Sequence, residues 1–538
     1  MKQRKGIIKP YVGAAAVLLA ASLQQNAMAL PAIKIGDVEF GTISGFVREH
    51  ASWNLQDHPD LDFANPGKTI EGRGELSMLR TTVEMQYVSG KDLLPYGSQL
   101  TLVGRLNKES RTTYLKRLDA SPLQIGDLMD NYNSNREGIR EAYLDIPFSD
   151  RVRLRFGKQQ VVWGETDLLQ ALDLVNPRDL SWRSLFEPED EEWRKPLIMA
   201  NLVIDVPEAH GSLQLLYRPG WDRDSQMGNT LDLFGGRWAA QGSKGVNNVA
   251  LIPYNYHHAE GNTDDASYGG RWTGVAGDLG YSLAYYHTLS DNPVLNVSAP
   301  ALGITPYKGA IGSRATDFST LGAPLPPGFA FGEFILPQID IIGGSLNYPL
   351  TGIDMVLRSE LAVTLDKPYN AESALGGAAL PTIKEKTTAK FMIGFDKPWR
   401  GGKAIFGTST SPFWTVQIFD SWIPGFKVED KLLDIGSSHL KEHSVIAVTT
   451  FNLNYNNDTV NPGVAFAMDT SNGGGVVIPS VNILYGDHWR LRLDAALFFK
   501  AQDGCSTDPA TGAGANCTHL FGTFDNNDQV SARLTYQF

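Results

Sequence analysis

The chain is poor in several things. It has only two cysteines in 538 residues, Cys505 and Cys517, with His519 as the one further metal ligand beside them. A tetrahedral metal centre wants more donors than that, so the pair does not point to one. The longest apolar run, Tyr11–Ser22, falls short of the ~20 residues a spanning helix needs. No linker, low-complexity tract or shift of composition divides the chain. No basic stripe is present, and a net charge of −12 argues against nucleic acid as a partner. The motifs G-x-S-x-G, H-E-x-x-H, G-x-G-x-x-G and a Walker loop are missing. An enzyme is therefore not expected, and neither a cofactor nor a metal.

The short apolar run has its own meaning. Lys2, Arg4, Lys5 and Lys9 precede it, and Ala27-Met28-Ala29 follows. That is the pattern of a secretory signal peptide over residues 1–29; a membrane anchor is the alternative. Its removal takes away four positive charges and no acids, so −12 becomes −16, on 509 residues. In an oxidising envelope Cys505 and Cys517 are expected to pair. With eleven residues between them, the bond would staple a loop and contribute roughly 3 kcal/mol in the chain-entropy view.

What is abundant suits strands and tight turns: 54 glycines and 10 % aromatics. In QVSARLTYQF, Val530, Ala532, Leu534, Tyr536 and Phe538 alternate with Gln529, Ser531, Arg533, Thr535 and Gln537. Ten alternating residues match a transmembrane β-strand, although an edge strand of a soluble sandwich alternates too. Tyr536 and the terminal Phe538 resemble the signal read by the outer-membrane barrel assembly machinery. Upstream, Trp489 to Phe499 alternates in the same way after a Gly486-Asp487-His488 turn.

The rhythm extends along the chain. Short turns are predicted at Pro147–Asp150, Pro207–His210, Gly277–Gly280, Pro349–Gly352 and Asn456–Thr459. Long polar segments alternate with them, at about 108–136, 161–196, 221–265, 291–334, 367–383 and 424–440. A brief turn at Thr470–Gly473 falls among the long ones. Tyr217, Trp221, Tyr348, Trp414, Tyr485 and Trp489 lie at strand ends, where membrane-interface aromatics belong. The expected fold is all-β: a transmembrane antiparallel β-barrel of about 16–18 strands, one domain over 30–538. Closure follows from physics, because lipid tolerates no unpaired strand edge.

One hairpin carries charge. Glu141 and Asp145 alternate with apolar residues before the turn at 147–150, and Arg151, Arg153 and Arg155 do so after it, with Lys158 following. A charge facing lipid costs ~2–4 kcal/mol at the midplane, so this set is expected to face the lumen. Cross-strand pairing that fills space and a ladder that orients solute are both open.

The next stretch, VVWGETDLLQALDLVNPRDLSW (161–182), reads as a helix. Thr166 can cap it and Asp167 suits its first turn. Leu168, Leu169, Leu172 and Val175 share a helical face, and Asn176-Pro177 ends it. Such a face needs cover. Folding 161–196 into the lumen as a helical loop would supply it; packing on neighbouring outer loops is the alternative. In the inward arrangement Trp163, Glu165, Asp167, Asp173, Asp179 and Trp182 join the arginines as constriction residues. His439 and His443, His257-His258 with Glu260, and the acid–amide clusters Asp264-Asp265 and Asn526–Asp528 are weak metal hints.

The segment WGETDLLQALDLVNPRDL, the REAYLD…LRFGKQ hairpin, the signal peptide and the length resemble one bacterial envelope family. It is catalogued as a domain of unknown function, number thirteen-hundred-and-two. The resemblance implies an outer-membrane barrel linked to lipid-transport systems, and it brings no catalytic residues. The expected function is a cell outer-membrane channel or transporter for small amphipathic or lipid-like solutes. A porin-like hydrophilic channel and a lipase-like outer-membrane enzyme are the alternatives. Expected partners are outer-membrane lipids, the solute, the assembly machinery and inner-membrane or periplasmic components of lipid transport.

Overall fold

The computed structural model describes residues 33–538 apart from 36–37, 60–68, 114–115, 117–137, 167–168, 179–192, 221–229, 233–238, 243–245, 248–251, 254–264, 291–293, 298–303, 305–306, 308–332, 375–376, 434–438, 501–519 and 526. The signal peptide, Cys505 and Cys517, His257-His258, Asp264 and Trp221 lie outside the described residues.

The wall begins with β1 (Val38–Asn54), β2 (Leu76–Ser89), β3 (Gln99–Glu109), β4 (Ile139–Pro147), β5 (Val152–Gln159) and β6 (Leu197–Val206). It continues with β7 (Gly211–Arg218), β8 (Ser267–Ala276), β9 (Leu279–Leu289), β10 (Gln338–Leu350), β11 (Met355–Ser373) and β12 (Gly377–Pro398). It ends with β13 (Phe413–Trp422), β14 (His443–Asn452), β15 (Val460–Asp469), β16 (Gly474–Tyr485), β17 (Trp489–Lys500) and β18 (Gln529–Gln537). The sheet has 20 members, of which Ile33–Ile35 and Leu432–Leu433 are short attachments to β1 and β11, leaving eighteen in the wall. Successive wall strands pair antiparallel, and β18 pairs back with β1 from Phe46↔Gln537 to Asn54↔Gln529. The ring is closed. Gly45 and Phe538 exchange two backbone hydrogen bonds of 2.9 and 3.0 Å at the join. Beside it Arg48 Nε donates to Thr535 Oγ1 at 2.9 Å across 487 residues of sequence.

The long connections lie at one end of the cylinder, together with the brief turn at Thr470–Gly473 and the turn of the β11–β12 hairpin; the other end has short connections. At the short-turn end are 148–151, 207–210, 277–278, 351–354, 453–459 and 486–488, together with 90–98 and a wider turn at 399–412 that holds a one-turn helix, Gly402–Phe406. Gly486 takes φ +60° in its tight turn, where a side chain would be strained.

The two faces of the wall are inverted relative to a soluble sheet. Val530 and Leu534 of β18 are exposed, while Gln529, Ser531, Arg533 and Thr535 are buried. The same holds elsewhere: Phe156, Leu283 and Ile342 face outwards at 51–63 % exposure, and Arg358, Glu360, Gln417 and Asp494 are buried on the other face. An apolar outer band over a polar interior is stable only in an apolar surrounding. Tyr217, Tyr348, Trp414, Tyr485 and Trp489 are exposed near strand ends, and Tyr536 packs on Trp489 at 4.9 Å.

Two sequence expectations fail. Residues 367–383, read as a polar loop, are mostly strand: β11 and β12 run on as a hairpin with its turn beyond Ser373. Here Asn370 and Ala371 pair with Leu433 and Leu432 of the 423–442 loop, and Ala371 is buried with Ile423 and Leu432, so the cover comes from a loop and strand no longer requires alternation. And among the described residues the helix predicted after Thr166 is absent. Residues 161–166 and 169–178 run as extended chain and bends. Their backbone donors bond to side chains instead of to a helical turn: Val161 N to Asn176, Trp163 N to Asp173 and Leu172 N to Glu360. Fixed acceptors at these sites outweigh helix propensities of a few tenths of a kcal/mol.

Candidate functional site

The charged hairpin β4–β5 presents Glu141, Tyr143 and Asp145 on the face opposite the exposed Phe156. Asp145 accepts two hydrogen bonds from Arg155, both at 2.9 Å, and the guanidinium lies 4.1 Å from the Tyr143 ring centre. Glu141 accepts from Gln160 Nε2 at 2.6 Å. Arg151 sits at the short-turn end, paired with Glu208 at 2.8 Å where both side chains are mostly exposed. Arg153 is exposed beside it. Lys158 does not belong with this set. It pairs in register with Ala142 on the outward side, next to Phe156, and its Nζ donates to Ile139 O at 3.1 Å.

Segment 161–178 leaves β5 and is fastened at many points. Trp163 is buried; its Nε1 donates to Gln214 of β7 at 2.8 Å, and its ring meets Tyr286 of β9 edge-on at 5.4 Å. Glu165 accepts from Ser345 and Asn347 of β10 at 3.1 and 3.4 Å. Arg358 of β11 donates to Glu165 O and to the Asp396 carboxylate of β12. Glu360 of β11 takes the Glu165 and Leu172 N–H groups, one on each carboxylate oxygen. The chain between 165 and 172 is thus a small loop gripped at both ends by one buried acid. Leu172 and Val175 pack with Leu216, Ala284, Ile341 and Ala362. Ala171 joins a second buried cluster with Met392, Phe419, Val448, Val476 and Phe498.

Asp173 is the electrostatic centre of the segment. It accepts from Arg178 at 2.8 Å and from Arg194 at 2.5 Å, all three buried. Arg140 Nη2 in turn donates to Arg194 O at 2.9 Å. Asn176 bridges Val161 N and Lys195 O, fixing the entry and exit of the segment. Of the segment's described acids, Asp173 therefore pairs with arginines other than the ladder at 151, 153 and 155, and the Glu165 carboxylate pairs with Ser345 and Asn347. Strand geometry explains this: at ~3.3 Å per residue, Arg151 lies most of a strand's length below Val161. Asp167, Asp179 and Trp182 lie outside the described residues.

Sequence reasoning missed Glu360, Arg358, Arg194 and Gln214. Each looks like an ordinary polar residue, and only the fold brings them against 161–178. The paired histidines separate: His439 faces Glu372 and His443 faces Asp420. Asp528 accepts Phe498 N and Gln56 Nε2, both at 2.6 Å, and burial pushes its carboxyl up.

The family profile described as "Protein of unknown function (DUF1302)" matches residues 11–538. The chain belongs to the DUF1302 family. No curated protein matches it. Among solved structures it is similar to Salmonella typhi OmpF in complex with daunomycin, at 8 % identity and TM-score 0.39, over 93 % of this chain and 98 % of that one. It is also similar to the outer membrane channel DcaP of Acinetobacter baumannii, at 10 % identity and TM-score 0.39, over 95 % of this chain and 100 % of that one. In this DUF1302 chain the stretch WGETDLLQALDLVNPRDL includes Trp163, Glu165, Asp173 and Asn176, four well-anchored side chains of the segment.

Proposed function

We propose that this protein is an outer-membrane channel for small amphipathic solutes, not an enzyme, with segment 161–178 as its constriction. The observation that carries the reading is the reach of that segment. Its bonds go to β7, β10 and β11, and its apolar contacts join clusters drawn from β6 to β17. A chord across the interior of a closed cylinder meets so many strands; a loop resting on the rim does not. Eighteen strands leave room for such a chord.

The amphipathic preference rests on the wall's two inner arcs. Strands β12 to β17 offer Met392, Phe419, Val448, Ala467, Ile478 and Ala496, an apolar surface unusual for a barrel interior. Across the join, β18, β1 and β2 offer Arg533, Arg48 and Arg80. That basic arc favours the second reading, a channel for hydrophilic anions. Outer-membrane lipids, barrel assembly machinery and a lipid-handling periplasmic partner fit the first.

The test is planar-bilayer recording of the purified protein beside a variant in which residues 166–171 are replaced by two glycines. The constriction reading expects a stable conductance that rises several-fold in the variant. Equal conductance sinks it. Uptake of a radiolabelled fatty acid against a radiolabelled sugar acid separates the two solute classes.

A further inference from the structure

The wall has a thin place between β16 and β17. These strands pair from Gly474↔Lys500 to Val477↔Leu497, and again from Ser480↔Asp494 to Tyr485↔Trp489. The register is the same on both sides, and across Ile478 and Pro479 the hydrogen-bond ladder to β17 is interrupted. Against β15 the same residues pair without interruption, Ala465↔Ile478 and Val464↔Pro479. Pro479 has no N–H to give, so the ladder loses a donor inside a strand that is nowhere an edge. In lipid such a lapse in backbone pairing is costly and is not expected without a use.

The side chains around the lapse are small or apolar. Ala495 and Ala496 stand opposite Pro479 and Ile478. Outside, Pro479 is exposed, flanked by the exposed Val464, Leu493 and Leu497. Inside, Ile478 and Ala496 belong to the apolar cluster with Phe419 and Phe498. Phe521 and Phe524, from the turn Leu520–Phe524, cover that cluster. Apolar interior, a wall short of one backbone donor and apolar exterior thus stand in line.

We propose that the β16–β17 seam at Ile478–Pro479 is a lateral exit through which an alkyl chain passes between the interior and the bilayer. A polar solute would be stripped of water there at a cost of several kcal/mol, so the route selects for hydrocarbon. The inference rests on the amphipathic-solute reading above and names the part of the solute that the wall admits.

The test locks the seam. Ile478→Cys with Ala496→Cys, in a Cys505→Ser, Cys517→Ser background, places two thiols directly opposite, within disulfide range, and keeps Pro479. Cells lacking the native protein and carrying this variant are given labelled hexadecanoate. The expected result is uptake at least about tenfold lower when the pair is oxidised, recovery on reduction, and unchanged small-ion conductance. Uptake by the oxidised variant at the unlocked rate overturns the exit and leaves the channel reading standing. No uptake above background by the unlocked protein overturns both.

A second variant needs no cross-link. Pro479→Val restores the donor, so amide exchange at 478–480 and 495–496 should slow and hexadecanoate uptake should fall several-fold. Exchange already as slow in the native protein overturns the exit. Photolabelling separates the sources of the chain: a diazirine hexadecanoate should mark 478–497, and marking by a diazirine phospholipid alone overturns a solute route.

Discussion

Glu360 holds Leu172 by its backbone: the carboxylate accepts the Leu172 N–H at 2.9 Å across 188 residues of sequence. Its other oxygen holds the N–H of Glu165. One buried acid on the wall thus closes a loop that the chain does not close itself. Glu360→Ala removes both acceptors and leaves two N–H groups searching for partners, at about 1–3 kcal/mol. The expected outcome is a lower unfolding midpoint in urea-treated vesicles, together with a larger, noisier single-channel conductance. A quiet conductance of native size would count against the grip.

Asp173→Asn tests the centre of the segment. Arg178 and Arg194 keep a hydrogen-bond acceptor but lose the charge they share. Charge-assisted bonds in a buried setting are worth roughly 1.5–3 kcal/mol each. Protease cleavage within 161–196 should accelerate at least tenfold, while the far-ultraviolet spectrum of the barrel stays unchanged.

The two described ion pairs of the β4–β5 hairpin should behave differently. Arg155 is doubly bonded to Asp145 and stacked on Tyr143, so Arg155→Ala should cost about 1–3 kcal/mol. Arg151 and Glu208 are both mostly exposed, and Arg151→Ala should change stability by less than about 1 kcal/mol. Equal effects in urea titration would contradict the geometry.

The Asp430 carboxyl, on the 423–442 loop, is held below its usual range by its hydrogen bonds to Lys386 first and Lys384 second. A lowered acid contributes stability above its unfolded value and loses it as pH falls through its folded one. This tie between the β11–β12 hairpin and the loop should therefore hold at neutral pH and release below about pH 4. Hydrogen exchange at residues 428–433 should be faster at pH 3 than at pH 7 after correction for intrinsic rates. Asp430→Asn should remove most of that difference.

Much of this was legible in the chain. The alternation of β18 and the turns at 147–150 and 486–488 are local signals, and they describe the wall correctly. The upper end of the strand estimate matches it. The failures are also local signals, but ones the surroundings override. LLQALDLV has the apolar spacing of a helix, and Ala171, Leu172 and Val175 do become buried. They do so without a helix, because Glu360, Asp173 and Asn176 supply the acceptors that a helix would otherwise provide. The role of Glu360 is not visible in its neighbourhood RSELAV, where it is one inward residue among others. Lys158 was misplaced for another reason. Its charge suggested the inside, but its parity on β5 places it with Phe156, at a height where a long side chain reaches backbone and water.

The join at Gly45 and Phe538 has a consequence in time. Every other pair of neighbours in the ring is consecutive among the wall strands, so it can form before the ring does. This pairing brings together residues nearly five hundred positions apart, as Arg48 and Thr535 do. Contacts of such long range come late and slow a folding reaction. Until they form, the curling sheet shows two raw edges, each able to pair with a stranger. The slowest moment of this protein's life is thus also its most exposed, and its rate should depend on the join more than on any feature of the constriction.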